Sequence, residues 1–185
     1  MKTYTIILVF AMFFINTTVI SNSTVNINIS KEFVDDEPKE EEKVNSQLNE
    51  FLNEIGQFES GNDYTKVNTH GYMGRFQFGL STIQTLGYRD ITQEEFINNP
   101  SLQDTMMIKN LRYNKRRLKK YYKHYVGKTR WGIKITESGM LAAAHLAGQG
   151  NVKRFLMYGE NPSDVYGTSL SKYLSKFSGY ELNLE

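Results

Sequence analysis

From Asn45 onward the apolar positions fall into helical register. Leu48, Phe51, Leu52, Ile55 and Phe58 recur every three or four residues and mark one face of a helix. Gly61, Asn62 and Asp63 predict its end in a turn. Residues 64–79, rich in Gly, Tyr, Asn and Thr, read as a loop or a short irregular hairpin. Ser81 is placed to cap a short helix containing Ile83 and Leu86, which Gly87 stops. Thr92 and Glu95 have the spacing of a capping box and predict another short helix ending near Asn98. Pro100 and Ser101 open a longer helix to about Tyr125, with Leu102, Met106, Ile108, Leu111, Leu118 and Tyr122 on its apolar face. Trp131 to Ile135 reads as a short extended arm. Thr136 predicts the cap of an Ala-rich helix, Glu137 to Ala147, closed by Gly148. A further helix runs through Phe155 and Leu156, and another from Ser169 to Phe177. No tandem repeat interrupts this order. The expected fold is mainly α, a single helical domain with one polar loop region.

The segment ahead of Asn45 differs. Lys2 precedes an uninterrupted apolar run, Ile6 to Ile15, and small and polar residues follow. The run is shorter than the about 20 residues of a spanning helix. It predicts a secretory signal peptide over 1–22, with an uncleaved anchor or an apolar strand as other readings. Residues 31–44 carry seven acids and three lysines and include Pro38. Residues 23–44 therefore read as an acidic disordered linker. The domain over 45–185 holds 18 Lys/Arg against 13 Asp/Glu, so the overall +2 hides a basic domain. Such a surface suits an anionic polymer, and charge alone does not choose among wall glycan, nucleic acid and lipid. The 185-residue chain has no cysteine, which excludes disulfides, thiol nucleophiles, thiolate metal sites and a lipoprotein anchor. With only three histidines, His70, His124 and His145, no metal site is expected, and no cofactor.

Chemistry concentrates in three segments. Glu59 ends the apolar face of the first helix, one position after Phe58. A carboxyl at the rim of a core loses water, which raises its pKa, and a protonated carboxyl can donate to a glycosidic oxygen. Ser60 and Gly61 beside it would let a bulky ligand approach the backbone. Tyr72, Phe76 and Phe78 offer aromatic faces for sugar rings, Gln77 both donor and acceptor, and Gly71 and Gly74 unusual backbone turns. The alternative is an aromatic loop packed on the core. The stretch from Leu141 to Val152 is small-residue rich, suited to close helix packing, and His145 within it also fits a hydrogen-bonded structural histidine. Lys109 to Lys123 form a basic face, either solvated or a contact for anionic wall polymers.

Glu59-Ser60, Gly74-Arg75-Phe76-Gln77-Phe78 and Ala144-His145-Leu146-Ala147-Gly148-Gln149-Gly150-Asn151-Val152 together resemble the catalytic domain of SLT-type lytic transglycosylases, relatives of goose-type lysozyme. That family has a catalytic Glu before Ser, then Gly-x-x-Gln, then Ala-Tyr-Asn-Ala-Gly-x-Gly-x-Val. Order and separation agree over about residues 48–157. One departure stands out: the family's Tyr-Asn pair is His145-Leu146 here.

The resemblance implies a lysozyme-like helical fold and cleavage of the β-1,4 bond between N-acetylmuramic acid and N-acetylglucosamine in peptidoglycan. Glu59 would be the single general acid and base, and the substrate's acetamido group would stand in for a protein nucleophile. The product would carry a 1,6-anhydro end. Ser60, Tyr72, Gly74, Phe76, Gln77, Phe78, His145, Ala147 and Gly148 would line the substrate. The signal-peptide reading makes the expected protein secreted or periplasmic and nucleic acid a poor partner; it would be a monomer acting on glycan strands, without cofactor or lasting membrane insertion. Two alternatives remain. Asp63, Asp90 or Glu137 could orient water in a hydrolytic muramidase, and the His145-Leu146 departure would suit a catalytically silent wall-binding protein.

Overall fold

The computed structural model describes residues 40–164 and 166–184, with side chains from Asn45 onward. The expected signal peptide, and the linker ahead of residue 40, lie outside the described residues. The described chain is mainly helical: α1 (Glu40–Ser60), α2 (Leu80–Thr85), α3 (Gln93–Ile97), α4 (Pro100–Tyr125), β1 (Thr129–Arg130), β2 (Ile133–Lys134), α5 (Glu137–Tyr158) and α6 (Leu170–Lys176). No helix among the described residues is long and apolar enough to cross a membrane.

Helix α1 as described includes residues 40–44, which lie inside the expected linker. Glu and Lys are good helix formers, and acids suit the positive end of a helix dipole, so an acidic run can extend a helix as readily as it can stay unfolded. Phe51, Leu52 and Ile55 of the predicted face are buried, while Leu48 and Phe58 pack at its margin. α1 meets α6 and its C-cap through aromatic edges: Phe58 on Tyr173 at 5.2 Å, and Phe51 on the C-cap Phe177 at 6.3 Å. Gly61 and Asn62, both at positive φ, end the helix where the sequence predicts.

Residues 64–79 form an irregular hairpin, with antiparallel bridges Val67–Met73 and Met73–Phe78. A buried polar network fastens it to the helices. Arg75 is 7% exposed and pairs with Asp104 of α4 at 2.8 Å. Its guanidinium also donates to Asn62 Oδ1 (2.8 Å), Asn53 Oδ1 and the Tyr64 hydroxyl (3.0 Å), and lies 4.8 Å from the Phe76 ring centre. Gln103 accepts from the Arg75 amide (2.8 Å) and donates to the carbonyls of Phe96 (2.9 Å) and Tyr64 (3.0 Å).

Three local expectations change. Ser81 lies inside α2, whose N-cap is Gly79 with no side-chain bond. The Trp131 arm is a two-stranded hairpin with Trp131 (φ 52°) and Gly132 (φ 79°) in its turn, the conformation that two-residue hairpin loops favour. The apolar face of α4 carries buried Gln103, Asn110 and Asn114 among its Met and Leu residues. The capping box at Thr92–Glu95, the Asn99 cap before Pro100, the Thr136 cap and the Ser169 cap are all formed. The Ala-rich stretch and the helix after it form one element, α5, broken at Gly148 (φ 76°, ψ 153°). α5 packs against α4 and α6, and its buried Ala142, Ala143 and Ala144 allow the close approach.

Candidate active site

A cleft of ≈ 780 Å³ runs between the end of α1, the hairpin, α2, the middle of α4, the break in α5 and the loop before α6. That volume lies within the roughly 300–1,000 Å³ of small-molecule and cofactor sites. Glu59 stands in its wall on the last turn of α1, and Phe58 and the buried Tyr173 line the same cleft. The Tyr173 hydroxyl donates to Glu59 Oε1. Burial raises the Glu59 pKa above its ordinary 4.5, because the ionised form loses water. The charge of Asp164 adds to the rise, while the Tyr173 hydrogen bond and Lys66 oppose it without cancelling it. A protonated His145 would also oppose it. Burial and the neighbouring carboxylate likewise push the Tyr173 phenol up, so it remains a donor.

His145 Nε2 lies 2.8 Å from the Phe76 carbonyl, and Nδ1 lies 2.9 Å from Asn110 Nδ2. A carbonyl only accepts, so Nε2 carries the proton. With the Asn110 amide in this orientation Nδ1 accepts, which describes a neutral ring. Asn114 Nδ2 donates to Asn110 Oδ1 at 3.1 Å and completes the chain. Both ring nitrogens are therefore occupied in holding the hairpin carbonyl to α4, which is the hydrogen-bonded structural reading of this histidine.

Of the residues singled out in the sequence, Glu59, Tyr72, Gln77, Phe78, His145 and Gly148 line the cleft. Ser60, Gly74, Phe76 and Ala147 do not, and each has a structural occupation instead. The Ser60 hydroxyl is buried, donating to the Arg75 carbonyl (2.8 Å) and accepting from the Asp63 amide (3.0 Å). Gly74 has φ 73°, and a Cβ there would sit 2.1 Å from Gln103 Oε1, so the glycine serves close packing. Phe76 is fully buried in the core. The Ala147 carbonyl accepts from Asn151 Nδ2 at 2.8 Å. Gln77 lines the cleft, yet its amide donates to the Gly74 carbonyl at 2.9 Å, which leaves the side-chain oxygen for a ligand.

None of the three acids considered as a second carboxylate lines this cleft. Asp63 is exposed and caps Thr65 through its backbone and hydroxyl, both at 2.8 Å. Asp90 borders a shallow surface depression beside α3. Glu137 sits at the start of α5, 2.8 Å from Lys115. The acid that does share the cleft with Glu59 is Asp164. Tyr173, Asn110 and Asn114 are other cleft positions that pattern reading misses. The two amides four residues apart on a buried face were the available signal; Tyr173 lies between Leu170 and Leu174 and reads as core.

The arrangement offers one shielded carboxyl biased toward its protonated form, a phenol that fixes it, and amide, hydroxyl and aromatic groups around an open cleft. No cluster of three or more metal-binding side chains occurs among the described residues. Comparison with protein families, with curated proteins and with solved structures yields no match to this chain.

Proposed function

We propose that this protein is a peptidoglycan lytic transglycosylase with a lysozyme-like helical fold, in which Glu59 is the general acid and then the general base. The observation that carries the reading is the Glu59 carboxyl itself. It is part-buried in the cleft wall and held by Tyr173, and burial raises its pKa. Such a group protonates a glycosidic oxygen near neutral pH, and no other cleft residue combines these properties. The cleft composition supports a glycan ligand: Tyr72 and Tyr166 are exposed aromatic faces, and Asn68, Gln77 and Gln149 are polar groups suited to hydroxyl and acetamido contacts.

Glu59 would give its proton to the leaving oxygen as the acetamido group of the muramic acid closes on C1. The carboxylate would then take the proton of the C6 hydroxyl as that oxygen forms the anhydro bridge. Hydrolysis by water on the same fold is the second reading, and Asp164 favours it by supplying another carboxylate in the cleft. A secreted or periplasmic site of action follows from the sequence expectation of a signal peptide. Wall clearing by the native protein, lost in Glu59→Gln with sedimentation on insoluble wall retained, is the expected outcome. Clearing by the variant at the native rate would sink the assignment of Glu59.

A further inference from the structure

Asp164 follows Pro162 and Ser163 and leads toward α6, the helix that carries Tyr173. Its Oδ1 accepts from the amides of Tyr166 (2.9 Å) and Thr168 (2.8 Å), and its own amide donates to the Thr168 carbonyl (3.0 Å). The Ser163–Ser169 bridge closes the loop at its base. Both side-chain bonds therefore use one oxygen, and among the described residues no hydrogen bond reaches Oδ2. A loop cap needs only one acceptor, which asparagine supplies as well as aspartate. The negative charge is thus surplus to the loop, and it stands in the cleft wall within electrostatic reach of Glu59 and Tyr173.

We propose that Asp164 Oδ2 accepts the N–H of the acetamido group on the sugar whose glycosidic bond is broken. The inference rests on the glycan-cleaving reading of the cleft. The carboxylate turns the acetamido oxygen toward C1 and balances the charge that develops on the group. As Glu59 transfers its proton to the glycosidic oxygen, the C1–O bond breaks with its electron pair going to that oxygen. The acetamido oxygen bonds to C1, and the resulting oxazolinium cation carries its charge on an N–H facing Asp164. Attack by the C6 hydroxyl on C1 returns the electron pair to the acetamido oxygen, and the hydroxyl proton goes to the Glu59 carboxylate. The enzyme ends in its starting protonation state.

The test compares native protein and Asp164→Asn on two purified walls, one fully N-acetylated and one with its muramic acid residues de-N-acetylated. Asparagine keeps the loop acceptor and removes the charge. On acetylated wall kcat falls by about 100-fold with KM little changed, the loss typical of removing one group that stabilises transition-state charge. On the de-N-acetylated wall the native protein is itself slow, and the substitution adds little. A native-like rate for Asp164→Asn on acetylated wall overturns the proposal, as does an equal loss on both walls. Native protein that cuts both walls equally also overturns it, without recourse to the variant. Absence of soluble fragments from native protein on either wall is instead the signature that the glycan-cleaving reading itself fails.

Discussion

At the scale of single residues, the burial that raises the Glu59 pKa, and that the proposed reaction would use, costs the fold stability. Folding raises its pKa above the ordinary 4.5, so the folded chain holds its proton to higher pH than the unfolded chain does. Stability therefore falls as pH rises from that ordinary value through the raised folded one, because the ionised carboxylate has lost water. Glu59→Gln keeps the shape and an acceptor for Tyr173 and removes the charge. Its Tm at neutral pH is expected above the native value, by roughly 2–4 °C for each kcal/mol gained in a domain of this size. The gap narrows as pH falls toward 4.5. Thermal scans of both proteins from acid to neutral pH check this, and a variant that is less stable at neutral pH contradicts it. His145 shows the opposite economy: its two nitrogens are spent on Asn110 and the Phe76 carbonyl, which ties hairpin to helix where the resembled family has Tyr-Asn.

At the scale of elements, the hairpin is held by Arg75 and Gln103 from behind while its other side faces the cleft. Arg75→Met removes the ion pair to Asp104 and leaves acceptors on Asn53 and Asn62 without their donor. Asp104 is part-exposed, so the cost is expected at the low end for a broken buried pair, about 2–3 kcal/mol in a urea titration. A loss within experimental error would contradict this account of the hairpin. The elements themselves were largely legible. Capping residues at Thr92, Thr136 and Ser169, and the apolar spacing from Leu48 to Phe58, each mark a real helix end or face. What stayed hidden depends on tertiary contact. Gly74 and Ser60 look like ligand-facing residues in the sequence because small residues serve close packing and ligand approach alike. Asp164 was illegible because it lies far from Glu59 in sequence, and its loop has no periodicity to give it a direction.

At the scale of the whole molecule, charge is segregated. Between Asp104 and Glu137 the chain has no acidic residue, and α4 exposes Lys109, Arg112, Arg116, Lys119, Lys120 and Lys123. Exposed charges act through solvent and are screened within about 10 Å at 0.1 M salt. Retention on anionic wall is expected to weaken steeply with added salt. Replacing Arg116, Lys119, Lys120 and Lys123 by Glu should abolish retention while leaving the rate on short soluble glycan fragments unchanged. Sedimentation across a salt series checks this, and salt-independent retention contradicts it.

The central claim, a single shielded acid cleaving a glycan by substrate assistance, is tested most directly by the masses of the fragments released from purified peptidoglycan. Native protein is expected to release muropeptides with 1,6-anhydro ends, and Glu59→Gln none. Fragments with only reducing ends would contradict the transglycosylase outcome, and anhydro fragments released by Glu59→Gln at the native rate would contradict the role of Glu59.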